Sequence, residues 1–80
     1  MDAKRVTLAE LKDGVPARVE TVAGGQSLLK RLAAMGITPG GLLVKESGHG
    51  QGPVIVLVRG ARLALGRGMA SKIILKVVAK

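Results

Sequence analysis

Few side chains in this sequence could do chemistry, and their spacing argues against catalysis. There is no cysteine and one histidine, His49. The hydroxyl candidates are Ser27, Ser47, Ser71 and the threonines. Nucleophilic catalysis needs a base held in a fixed orientation beside the nucleophile. His49 lies in the glycine-rich run Gly48 to Pro53, which offers no such support. Glu46 and His49, three residues apart, are the only candidate metal ligands that cluster, and a functional site takes three or four. The stretch Gly66-Arg67-Gly68-Met69-Ala70-Ser71 lacks the third glycine of a dinucleotide loop, and no phosphate-loop pattern occurs. Gly24-Gly25 ahead of a helix could receive an anion, but a turn explains the pair more simply. The expectation is therefore no enzyme, no bound nucleotide and no cofactor.

Charge is the stronger signal. Lys and Arg number 13 against 5 acids, a net +8. Nucleic acid, anionic lipid and an acidic protein patch are the partners that such a balance admits. Single-strand and RNA-binding barrels stack bases on aromatic rings, and this chain has no Phe, Tyr or Trp. The charges are also dispersed, with no basic run longer than Lys4-Arg5 or Lys30-Arg31. The same lack of aromatics excludes a groove for proline-rich peptides. A protein partner is the reading left, and nucleic acid is not expected.

Eighty residues, 48% of them apolar, make one domain over 1–80. Charges through the first dozen residues argue against a secretory leader. The longest apolar run, Val54 to Val58, is far below the ~20 residues of a membrane helix. A cytoplasmic protein is expected. Thr7 and Glu10 have capping-box spacing, so residues 7–12 read as a helical turn with Leu8 and Leu11 inward. Asp13-Gly14 turns the chain. Val15 to Val22 alternates as a half-buried strand with Val15, Ala17, Val19 and Thr21 on one face. The pair Gly24-Gly25 breaks it.

A helix is predicted near residues 26–36, capped by Ser27 or Gly25, with Leu28, Leu32 and Met35 forming its apolar stripe. Gly36 ends it, and Pro39-Gly40 makes a type II turn. Strands follow over Gly41 to Ser47 and Val54 to Arg59, joined by a loop closing at Gly52-Pro53. Gly60-Ala61 turns the chain again. A short strand over Arg62 to Leu65, a helical turn over 66–71 and a strand over Lys72 to Val78 complete the pattern. The class is mostly β with small helical insertions, a barrel of short strands. Leu43, Ile55, Leu57, Ile74 and Val78 exceed one interior; the helix and N-terminal turn should cover them, or they form a binding surface or the contact of a weak homo-oligomer.

Two segments carry a family resemblance: Arg31-Leu32-x-x-Met35-Gly36-Ile37-x-Pro39-Gly40, and Arg62-Leu63-Ala64-Leu65-Gly66-Arg67-x-Met69-Ala70-x-x-Ile73. With Leu8, Leu11 and Gly14, then Gly24-Gly25, then Gly52-Pro53-Val54, they resemble the FeoA family over nearly the whole chain. The resemblance implies an SH3-like β-barrel with a helical insertion. It implies a small cytosolic protein acting in ferrous-iron uptake with FeoB, a membrane permease carrying a GTP-binding domain. Repressors of the DtxR type share the barrel as a C-terminal domain, but their DNA-binding part has no counterpart here. Lys30, Arg31, Arg62, Arg67 and Lys72 are then the candidates for a basic, partner-facing rim. Arg31 could instead pair with Glu20 or Glu46. A basic RNA-associated barrel and a metal-sensing regulatory domain are the alternatives.

Overall fold

The computed structural model describes residues 4–48 and 50–77. The chain runs β1 (Arg5–Thr7), β2 (Pro16–Val22), α1 (Gly25–Ala34), β3 (Leu42–Ser47), β4 (Val54–Val58), β5 (Ala61–Leu65), α2 (Arg67–Ala70) and β6 (Ile73–Val77). Six strands form one antiparallel sheet in the order β1-β6-β2-β3-β4-β5. The expected mostly β architecture is present.

Strand alternation fills the interior. Ala17 and Val19 of β2, Leu43 of β3, Val54, Val56 and Val58 of β4, Leu65 of β5, and Ile73 and Leu75 of β6 are all buried. Leu8, Leu11 and Leu32 close the core from the N-terminal turn and the helix. Leu43 thus belongs inside, not among the surplus outer residues; Ile55, Leu57 and Ile74 are half-buried on the other face, and Val78 lies outside the described residues. The β2 pattern also slips. A register shift between Val19 and Thr21 leaves Thr21 exposed and turns Val22 toward the core, because a bulge reverses the faces of the residues beyond it.

The N-terminal turn is built as its spacing implies. The amide of Thr7 donates to the Glu10 carboxylate at 2.9 Å, and the amide of Glu10 donates to the Thr7 hydroxyl at 3.2 Å. Two differences appear around it. Residues 5–7 form a strand, β1, paired with β6, and the turn follows at Leu8. Helix α1 starts at Gly25 after Gly24, with no side chain capping it, so Ser27 does not serve as the cap. Its C-terminus closes as a Schellman motif: Ile37 N–H donates to Leu32 O at 2.9 Å and Gly36 N–H to Ala33 O at 3.0 Å, with Gly36 at φ +90. The buried Ile37 and Leu32 supply the accompanying apolar contact. Gly41 N–H then bonds Thr38 O across Pro39-Gly40, and Gly40 has φ +86, as a type II turn requires. The β4–β5 turn falls on Arg59-Gly60, one residue earlier than Gly60-Ala61, with both residues at positive φ.

Candidate partner-binding surface

The five basic candidates divide among three environments. Lys30 and Arg31 are exposed on α1, Arg31 in its last turn, where a cation complements the helix dipole. Lys72 is exposed just before β6, and its aliphatic stem lies against Gly24 at the start of α1. Arg62 and Arg67 are engaged. Arg62 Nε and Nη2 donate to the two oxygens of Glu46 at 2.6 and 3.3 Å, an ion pair that reaches across β4. Arg67 donates to the carbonyls of Gly48 and Gly52 and so pins the ends of the β3–β4 loop. The positive side chains without an ion pair among the described residues include Lys30, Arg31 and Lys72.

Arg31 pairs with neither acid considered for it. Glu20 is held by Arg5 at 2.5 Å and by Lys76 at 3.6 Å, whereas Glu46 is held by Arg62. These hydrogen bonds pull the carboxyls of Glu20 and Glu46 below the usual range and push the Arg5 and Arg62 guanidinium groups up. The Glu10 carboxyl is lowered by the bonds that it accepts from Thr7, the backbone amide first. Of the two metal-ligand candidates, Glu46 is paired with Arg62 and His49 lies outside the described residues. Among the described residues, no three His, Cys, Asp or Glu side chains gather as a metal site.

Reading residue types along the chain missed Lys45. It is fully buried, and its ammonium donates to Leu11 O at 2.7 Å and to Ala9 O at 3.0 Å. Burial lowers its pKa, and nearby Asp13 partly offsets that. The clue was the register of β3. If Leu43 faces in, Lys45 two residues later must face in as well. Arg59, in the β4–β5 turn, was also missed. Gly36 packs against Val58, so the C-terminal end of α1 lies beside the strand end that leads into Arg59. A cleft of about 240 Å³ near the chain's first strand has an apolar lining of Val6, Leu11, Val15 and Val77, with Lys4, Glu10 and Lys12 around it.

This geometry defines a class, the small SH3-like β-barrel with an inserted helix and no assembled reaction centre among the described residues. Comparison with known proteins then gives the family. Residues 6–77 match the FeoA domain. A protein of Methanocaldococcus jannaschii named as an Fe(2+) transport protein A is 38% identical over 69 residues, 86% of this chain and 83% of that one. The crystal structure of an iron uptake regulatory protein, FeoA, superimposes with a TM-score of 0.85 at 31% identity, covering 94% of this chain and 99% of that one. A manganese-dependent transcriptional repressor shares the fold, with a TM-score of 0.83 at 20% identity over 98% of this chain and 44% of the repressor. The chain belongs to the FeoA domain family. Among the described residues no helix is long and apolar enough to cross a membrane.

Proposed function

We propose that this protein is a cytosolic, non-enzymatic accessory of ferrous-iron uptake that works by binding the cytosolic side of a FeoB-type permease. The family match over residues 6–77 carries this reading. The chemistry supports it. Charged groups that could have been reactive are spent on structure: Lys45 on carbonyls, Glu20 and Glu46 on arginines, Glu10 on a turn. What remains available is surface, and much of it is positive. Lys30, Arg31 and Lys72 around α1 are the residues proposed to meet acidic side chains of the permease, whereas Arg62 and Arg67 are engaged elsewhere, on Glu46 and the β3–β4 loop.

Binding of the protein to detergent-solubilised FeoB tests this. Affinity should fall several-fold as salt rises from about 50 to 300 mM, because exposed charges are screened over a shorter distance. Lys30→Glu combined with Arg31→Glu should weaken binding at low salt by about tenfold. Salt-independent binding would remove the role of the basic surface. Tight binding to generic RNA, or stoichiometric uptake of Fe²⁺ by the isolated protein, would favour the alternative readings.

A further inference from the structure

The two edges of the sheet are finished differently. At the β1 edge, the Thr7 amide is occupied by the Glu10 carboxylate, and Arg5 is tied to Glu20. At the other edge β5 pairs only with β4, and no other backbone hydrogen bond among the described residues reaches 61–65. The groups left open follow from the turn. A two-residue hairpin with both central residues at positive φ, here Arg59-Gly60, makes Val58 and Ala61 a hydrogen-bonded pair. Hydrogen-bonded and non-hydrogen-bonded pairs then alternate along an antiparallel ladder. Val56–Leu63 and Val54–Leu65 are therefore bonded, and the N–H and C=O of Arg62 and Ala64 point away from the sheet. Both residues are exposed.

We propose that the β5 edge, through the backbone of Arg62 and Ala64, captures an extended acidic segment of the protein partner as an added strand. Charge selects this occupant. From Val58 to Ala70 there are three arginines, Arg59, Arg62 and Arg67, and no carboxylate in the segment itself; Glu46, across β4, pairs with Arg62 and leaves the edge net positive through Arg59 and Arg67. They stand in the turn before β5, on it and just after it, so a strand laid along this edge passes all three. A second copy of this chain is the wrong occupant. The antiparallel register that pairs Arg62 of one copy with Ala64 of the other sets Arg59 of each opposite Arg67 of its mate. Edge strands are commonly blunted by positive charge against self-pairing, and the same charge favours an acidic visitor. Ala64 is small, and on its face Ile55 opposite it is half-buried, so a side chain of the added strand finds an apolar seat there.

This inference rests on the proposed partnership with a FeoB-type permease, and hydrogen exchange can separate the two. The full chain is exchanged in deuterated buffer alone and with solubilised full-length FeoB, quenched, and read amide by amide. The amides of Arg62 and Ala64 should exchange about tenfold or more slowly in the complex. Ala64→Pro removes an amide that the fold leaves unbonded, and Arg59→Glu reverses one charge. Each should weaken binding by about tenfold or more while the other amides of the free protein keep their protection. Binding that leaves both amides unprotected would overturn the edge proposal and spare the partnership. Absence of binding would overturn both. Protection that grows with this chain's own concentration, without FeoB, would make a second copy the occupant and refute the acidic segment.

Discussion

Lys45 is the residue that most changes the description of the molecule. It occupies a core position, yet its amine joins β3 to a turn more than thirty residues earlier in the chain. The bond to Leu11 O is buried, so water cannot replace it; the bond to Ala9 O is only partly buried. Lys45→Met should therefore lower the unfolding free energy by about 1–2 kcal/mol, less than losing two buried bonds, because the cost of burying a cation disappears with it. Denaturant unfolding followed by far-ultraviolet circular dichroism would measure this, as no aromatic ring is present to serve as a fluorescent probe. Lys45 also carries a pH signature. Its pKa is lowered in the folded protein, so below the folded value both states hold the proton and the burial penalty is fully present. As pH rises from the folded value to the unfolded 10.5, the native state sheds its proton first and stability increases. The neutral amine keeps two N–H groups for its two carbonyls. Wild type should gain stability over this interval and Lys45→Met should lack that gain.

Among the elements, most turns were readable from the sequence, the β4–β5 turn at Arg59-Gly60 being one residue off, and the pairings were not. The Schellman closure at Gly36, the Thr38–Gly41 turn and the Thr7–Glu10 box each depend on residue types within a few positions, so local chemistry sufficed. Strand β1 is three residues long and pairs with β6 at the far end of the chain, which no local pattern reveals. The β2 bulge is similar: alternation continues past Glu20 in the sequence, whereas the ladder to β6 shifts. The basic candidates were identifiable as residues but not as neighbours, because the Arg62–Glu46 and Arg67–loop bonds depend on the β3–β4–β5 register. Gly48 gives the sharpest test at this scale. It has φ +129, and a Cβ there would lie 2.7 Å from Val54 Cα. Gly48→Ala combines backbone strain with a clash against fixed backbone and should cost about 2–4 kcal/mol. At Gly36, also at positive φ, the nearest atom to a new Cβ is 3.7 Å away, so Gly36→Ala should cost only about 1 kcal/mol. Thermal unfolding of the two variants would check the order.

For the whole molecule, acid should act through Glu10, Glu20 and Glu46. All three carboxyls are lowered from 4.5 in the folded state, so the stability they lend is present above 4.5 and is lost as pH falls through their folded values. The Tm should drop across that interval, and the gap between wild type and Glu20→Gln should close at its acid end. Protonation also raises an already large net positive charge, which adds repulsion in the compact state. The sheet topology bears on a different matter, the order in which the chain is made. β1 leaves the ribosome well before β6, the strand it pairs with among the described residues. Until then β1 has no ladder to join, and Lys45 can secure the adjoining turn only once β3 exists. Within this sheet, then, the first strand must wait unattached while the strands between are made, and completing the ladder joins segments far apart in the chain, a non-local closure of the kind that slows folding.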